Sequence, residues 1–171
     1  MARSDAARLL DDLRQRGATL ATAESLTGGR LAARVTAVPG ASDCFLGGVV
    51  SYATEVKVEV LGVPTAVVER DGVVSAACAR AMADGVRRLT GASYAVSTTG
   101  VAGPGPSEGV PAGTVYVGVA GPRGTTAVGL ELVGDREAVQ ERACDEALAA
   151  LMSVVTSTLG EELHEEQGGL G

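Results

Sequence analysis

The stretch "ATLATAESLTGGRLAARVTAV", residues 18–38, changes its periodicity halfway along. "ATLATA" (18–23) is short and mostly apolar, which indicates a strand, whereas "TGGRLAARVTAV" (27–38) has apolar residues at helical spacing until Pro39 and Gly40 interrupt it. A strand that passes directly into a helix is typical of α/β folds. This stretch therefore predicts an α/β domain and leaves Ser25 or Thr27 at the start of a helix.

The segments on either side repeat this alternation of strands and helices. Helices are predicted over 3–16, 54–61, 75–91 and 135–159, and strands over 44–53 and 93–100. Two further strands, 114–121 and 125–134, are joined by a Gly-Pro-Arg-Gly turn and form a predicted hairpin. The pattern indicates a mixed, mostly parallel sheet that contains one antiparallel hairpin and is covered by helices on both faces.

Composition predicts one domain and a short tail. The chain has 171 residues, of which 46% are hydrophobic, enough for one core and too few for two ordinary domains. We expect a single domain over 1–160, and a disordered tail over 161–171 because that segment is acidic and glycine-rich.

The net charge of −7 and the lack of a visible basic patch argue against nucleic acid or an anionic membrane as a partner. A small anionic ligand needs only one or two local cations, so it stays compatible with this charge. No apolar run reaches the length of about 18 residues that a membrane span requires, and the N-terminus lacks an export signal, so we expect a cytoplasmic protein.

The cysteines and the histidine offer little chemistry. Cys44, Cys78 and Cys144 are odd in number, widely spaced and without histidine companions, which favours buried hydrophobic residues over disulfides or a zinc site. The single histidine, His164, lies in the acidic tail, so a Ser-His-Asp triad is improbable.

Ser25 and Lys57 are the strongest catalytic candidates. Ser25 either caps the following helix or acts as a nucleophile, and a nucleophilic serine needs a base. Lys57 is the only lysine beside thirteen arginines, and arginine cannot lose its proton at a working pH. On a helix that begins near Thr54, Lys57 lies on the apolar face, where burial would lower its pKa; the alternative is a surface lysine whose stem covers apolar residues.

Three further features could belong to a site. Tyr52 precedes the helix of Lys57 and is either a proton carrier or a half-buried core residue. The segment "STTGVAGPGPSEG" (97–109) follows a strand with hydroxyls and glycines, as ligand-binding loops of α/β sheets do, although a loop without a ligand fits as well. Arg136, at a predicted helix start, could hold a phosphate or form an ordinary salt bridge.

Taken together, "AESLTGG", "GGVVSYATEVK", "STTGVAGP", "GTVYVG" and "GDREAV" resemble the CinA C-terminal domain family over roughly residues 5–158. The resemblance implies a three-layer α/β/α sandwich and a nicotinamide-nucleotide amidohydrolase that releases ammonia from nicotinamide mononucleotide without a metal or cofactor. It also implies a stand-alone form that lacks the N-terminal pyrophosphatase domain of longer relatives, and a homodimer or higher oligomer.

The resemblance also implies roles for particular residues. The family's nucleophile falls on Ser25, its base on Lys57 and its assisting tyrosine on Tyr52. Substrate contacts are expected from two segments and one arginine, namely Thr27, Gly28, Gly29, Thr99, Gly100, Ala102, Gly103 and Arg136. Many relatives carry a second basic residue at the position of Gln140, so the resemblance leaves the phosphate affinity of this chain open.

Two other functions stay compatible with these residues. The chain could be a binding or regulatory module that senses a phosphorylated metabolite through the loop, with Ser25 only a cap. It could also be an amidohydrolase for another small carboxamide.

Overall fold

The structure, a computed structural model, describes the backbone of residues 4–168 and the side chains of residues 4–158. It contains a five-stranded sheet in the order β2-β1-β3-β4-β5. The strands are β1 (Leu20–Glu24), β2 (Phe45–Val50), β3 (Tyr94–Gly100), β4 (Thr114–Gly121) and β5 (Gly124–Glu131). The helices are α1 (Asp5–Gln15), α2 (Arg30–Thr36), α3 (Thr54–Glu59), α4 (Thr65–Asp71), α5 (Ala76–Thr90) and α6 (Arg136–Gly168).

The sheet is parallel at one end and antiparallel at the other. Strand β1 lies between β2 and β3 and pairs with both in parallel, while β3, β4 and β5 pair antiparallel. The antiparallel part thus extends beyond the predicted hairpin. The physical reason is the connection after β3: residues 101–113 contain no helix, and a parallel return would need a crossover, usually helical.

Helices cover both faces of the sheet, which confirms the α/β fold with its mixed sheet. On one face, α1, α2 and α6 pack against Leu20, Val96 and Val117. On the other face, α5 packs against small residues of the strands, among them Ala21, Ala95 and Ala120. Small residues are needed there because a Cβ atom at Gly118 would lie 2.3 Å from the backbone oxygen of Ala79 in α5. Strand residues therefore alternate between a bulky and a small face.

The predicted elements are present, with shifted ends and two additions. The short helix α4 and the 3-10 turn at Ala41–Asp43 were not predicted. The last helix was predicted to end near Leu159, whereas α6 continues to Gly168. The disorder predicted for 161–171 stays a prediction, and residues 169–171 lie outside the described part of the chain. Within residues 4–168, no helix combines the length and hydropathy that a membrane crossing needs.

Candidate active site

The three parallel strands end at the same edge of the sheet, and the candidate residues gather there. Ser25 follows β1, Ser51 and Tyr52 follow β2, and Thr99 and Gly100 end β3. Helix α3 follows β2 after three residues and carries Lys57 back toward this edge. The carboxyl ends of parallel strands are where open α/β sheets hold ligands, so the topology itself assembles the site.

Lys57 is buried against the hydroxyl of Ser25. Its side chain is only 2% exposed, and its Nζ lies 2.9 Å from Ser25 Oγ. Glu55 and Glu59, two residues away on either side, lie on the exposed face of α3, as the helical spacing predicted. Among the described residues, no carboxylate forms an ion pair with Lys57. Burial without a counter-ion lowers the pKa of Lys57 below its ordinary value.

The remaining contacts of Lys57 fit an uncharged amine. Its Nζ lies 2.6 Å from the backbone oxygen of Ser51 and 3.1 Å from that of Tyr52. A neutral amine has two hydrogens and one lone pair, so two carbonyl acceptors can take both hydrogens. The lone pair is then left for the hydroxyl hydrogen of Ser25. The geometry therefore allows Lys57 to act as a base toward Ser25.

The pair opens into a cavity of about 420 Å³. The walls come from the end of β1, the start of α3, the end of β3 and the following loop. Three charged side chains line this cavity, those of Lys57, Glu108 and Arg136. Of the predicted contact residues, four others line it, namely Thr99, Gly100, Ala102 and Gly103. The structure thus brings Ser25, Lys57, Tyr52 and most predicted substrate contacts together.

Arg136 lies at the rim and bridges two walls of the cavity. Its Nη1 donates to the backbone oxygen of Gly103 at 2.7 Å, and its Nη2 donates to the hydroxyl of Tyr52 at 2.9 Å. The phenol of Tyr52, whose side chain is largely exposed, therefore contacts Arg136 rather than Ser25 or Lys57. It is the backbone of Tyr52, not its phenol, that reaches the amine of Lys57. Proton transfer through Tyr52 stays a prediction.

Thr27, Gly28 and Gly29 do not line the cavity, so the structure gives no support to their predicted substrate contacts. These three residues surround the carboxylate of Glu24, the last residue of β1, which is buried. It accepts hydrogen bonds from the Thr27 hydroxyl and from three backbone amides at the start of α2, those of Gly29, Leu31 and Ala32. The positive φ angles of Gly28 and Gly29, 55° and 101°, turn the chain around this carboxylate. Ser25 is therefore not the helix cap.

Glu24 is expected to stabilise the segment that carries Ser25. In Glu24→Gln, an NH₂ group replaces one of the oxygens that now accept hydrogen bonds, so buried donors face each other. We expect a loss of roughly 2–4 kcal/mol in the free energy of unfolding, measured by urea denaturation. The exposed Glu131→Gln on β5 is the matched control and is expected to change stability by less than about 0.5 kcal/mol. Equal stability of the two variants would contradict this role.

Gln140 does not face the cavity. Its side chain is 7% exposed, and its Nε2 donates to the backbone oxygen of Leu26 at 2.8 Å. It connects α6 to the peptide that follows Ser25. Gln140 therefore offers no contact to a phosphate in the cavity, because its amide is engaged in the protein interior.

The cysteines are free and buried, as predicted. Cys78 lies near Lys57, and burial raises the pKa of its thiol to about 11, so the thiol is protonated near neutral pH. No group of three His, Cys, Asp or Glu residues suited to a metal ion occurs in the described part of the chain. His164 lies in α6 beyond the side chains that the structure describes.

The fold and the site together describe an α/β protein with a buried Ser-Lys pair at the carboxyl ends of its parallel strands. The sequence model of the CinA C-terminal domain matches residues 3–155, so the chain belongs to that family. A CinA-like protein of Frankia casuarinae is 54% identical over 134 residues, 78% of this chain and 31% of the relative. A CinA-like protein of Anaeromyxobacter is 49% identical over 140 residues, 81% of this chain and 34% of the relative. The chain thus spans about a third of the length of these curated relatives.

Solved structures of the family superpose on this chain over nearly their whole length. A CinA superfamily protein from Klebsiella pneumoniae has a TM-score of 0.86 and 36% identity, and the match covers 90% of this chain and 96% of that one. A superfamily protein from Escherichia coli has a TM-score of 0.85 and 31% identity, covering 90% and 93%. The three-layer fold that the resemblance implied is thereby confirmed.

Proposed function

We propose that this chain hydrolyses the carboxamide of nicotinamide mononucleotide, giving nicotinate mononucleotide and ammonia. The observation that carries the proposal is the 2.9 Å contact between the Nζ of Lys57 and Ser25 Oγ beside an open cavity. The amine of Lys57 is buried, and no carboxylate with a described side chain pairs with it. A serine next to a base of lowered pKa is the arrangement of a nucleophile activated for acyl transfer.

In the first half of the reaction, neutral Lys57 takes the hydroxyl proton of Ser25 while Oγ bonds to the carboxamide carbon. The backbone amide of Leu26, which lines the cavity, would stabilise the oxyanion that forms, since the residue after a nucleophile is a common oxyanion donor. The carbon-nitrogen bond then breaks, and the Lys57 ammonium gives its proton to the departing nitrogen, which leaves as ammonia. An ester of Ser25 remains.

In the second half, Lys57 takes a proton from water, whose oxygen attacks the ester carbon. The bond to Oγ breaks, Ser25 regains its proton from Lys57, and the acid leaves. The sum is one amide and one water giving one acid and one ammonia. Both halves need Lys57 in its neutral form at the start, and the two carbonyls of Ser51 and Tyr52 hold the amine in place throughout.

Arg136 supplies the cation that a mononucleotide substrate needs. It is exposed, and within residues 4–158 its guanidinium donates to two neutral oxygens, those of Gly103 and Tyr52. A phosphate would offer charged acceptors in place of these, and arginine binds phosphate oxygens in a bidentate geometry. The cavity can therefore hold the carboxamide near Ser25 and the phosphate near the rim.

For Arg136→Gln, we expect the KM for nicotinamide mononucleotide to rise about 10- to 100-fold with little change in kcat, because a charged contact outside the reacting group is lost. Steady-state ammonia release measures both constants. Turnover of nicotinamide, which has no phosphate, is the internal comparison and should not fall. Arg142→Gln, also in α6 and absent from the cavity lining, is the matched control. An unchanged KM in Arg136→Gln would contradict this assignment.

The direct test of the proposed function is an ammonia assay with nicotinamide mononucleotide and nicotinamide side by side. Release from the mononucleotide is expected, with much weaker release from nicotinamide. Calorimetric binding of the mononucleotide without any ammonia would indicate a sensor instead. Ammonia from an unrelated small carboxamide alone would indicate a different amidohydrolase.

A further inference from the structure

The loop after β3 contributes one carboxylate, that of Glu108, to the lining of the cavity. Its charge is opposite to the charges of Arg136 and of protonated Lys57. It is the only acidic residue among the described residues that line this cavity. No cation pairs with it, and its carboxylate accepts no hydrogen bond within residues 4–158. This charge is therefore free to meet a ligand.

The backbone around Glu108 holds it in a defined position. Ser107 and Val110 exchange two backbone hydrogen bonds, at 3.0 and 2.9 Å, so Glu108 and Gly109 form the tip of a two-residue hairpin. Their φ angles are 50° and 76°, as at the centre of a type I′ turn. Glycine, asparagine and aspartate are the residues usual at such a position, and glutamate is not. Local turn chemistry therefore does not account for Glu108.

The negative potential of Glu108 reaches the catalytic pair. It raises the pKa of Lys57, against the larger lowering by burial. In the free protein, this carboxylate therefore favours the protonated lysine, which is the inactive form in the proposed reaction. A cation bound between the two would offset that influence and favour the neutral base.

We propose that Glu108 recognises the positive charge of the substrate's pyridinium ring, so that the cavity selects a cationic aromatic carboxamide. This inference rests on the proposed function and adds to it the recognition of the ring's positive charge. The mononucleotide carries a cationic ring and an anionic phosphate, and the cavity offers Glu108 for the first and Arg136 for the second. Nicotinamide is neutral and gains from neither contact.

The test compares two forms of one ligand that differ in ring charge. Calorimetry measures binding of nicotinamide mononucleotide and of its reduced dihydropyridine form, whose ring is neutral, to Ser25→Ala, which cannot turn either over. The same titrations are run on Ser25→Ala with Glu108→Gln, and on Ser25→Ala with Glu55→Gln. Glu55 is the matched control because it is exposed on α3 and absent from the cavity lining. Melting temperatures verify that each protein is folded.

Glu108→Gln is expected to weaken binding of the oxidised form roughly five- to tenfold at low salt, and that of the reduced form less than twofold. The selective loss should shrink at high salt because Glu108 is exposed. Equal losses for both forms, or no loss for either, would overturn the inference while leaving the amidohydrolase intact. If Ser25→Ala binds neither form and the parent releases no ammonia, the proposed function itself fails.

Discussion

Ser25→Ala is expected to lower kcat/KM for ammonia release from nicotinamide mononucleotide by about 10⁴-fold or more. The reason is that the acyl-enzyme cannot form without Oγ, and residual catalysis from binding alone is small when a nucleophile is removed. The fold should be retained, because the Ser25 backbone amide keeps its bond to the Thr98 oxygen and Glu24 still holds α2. Steady-state kinetics and a thermal melt measure the two effects.

A covalent intermediate gives this prediction a second readout. Rapid acid quench followed by mass spectrometry should detect a nicotinoyl-nucleotide ester on the parent and none on Ser25→Ala. Ser97→Ala is the matched control, because Ser97 is another buried serine whose hydroxyl donates to the backbone oxygen of Ala79. It should lose some stability but keep activity. Turnover by Ser25→Ala near that of the parent would exclude Ser25 as the nucleophile.

Lys57→Arg and Lys57→Met are both expected to lower the rate of ammonia release by about 10³-fold or more, for different reasons. Arginine keeps the charge but cannot accept a proton, whereas methionine has a similar length and no basic nitrogen. Ammonia release measures both. Near-parent activity in either variant would rule out Lys57 as the base.

Chemical restoration separates a lost base from a lost fold. Lys57→Cys should be inactive, and alkylation with 2-bromoethylamine should restore a primary amine at this position and part of the activity. The native cysteines are buried and do not line the cavity, whereas position 57 does line it, which favours reaction at that position. The same treatment of Lys57→Arg should restore nothing. If the alkylated protein is folded but does not recover ammonia release, the result would contradict the role of Lys57 as the base.

The stability of Lys57→Met should depend on pH in a definite direction. Because the folded-state pKa of Lys57 is lowered, the unfolded parent binds more protons between that pKa and about 10.4, so the stability of the parent rises with pH across this window. The methionine variant lacks this dependence. Its stability relative to the parent should therefore fall as pH rises, and a constant difference would mean that burial does not shift this amine.

Periodicity predicted most of the fold because strands and helices here bury continuous apolar stripes. It missed α4, whose seven residues include no fully buried side chain. The segment offers only Val67 and Val68, half-buried against the core, so it has no strong helical signature. The extent of the antiparallel sheet was also underestimated, since it depends on where the long loop after β3 returns.

The Ser-Lys pair was predictable because one lysine stands out among arginines, and helical spacing gave its face. The role of Glu24 could not be predicted, because serine and threonine are common helix caps and a carboxylate six residues before the first helical residue, Arg30, is not a capping pattern. Its reach depends on two glycines with positive φ, which only the folded chain displays. The orientation of the Tyr52 phenol toward Arg136 likewise depends on contacts between distant segments.

The protonation of one amine is the central claim, and the composition of the chain makes it directly measurable. With a single lysine, protein labelled with ¹³Cε-lysine gives one lysine resonance without any assignment. Its chemical shift, followed against pH in folded protein, should titrate with a midpoint below about 10.4, and kcat/KM should rise with pH through that same midpoint. The protein unfolded in urea should titrate near 10.4. A folded-state midpoint at or above 10.4 would contradict the account.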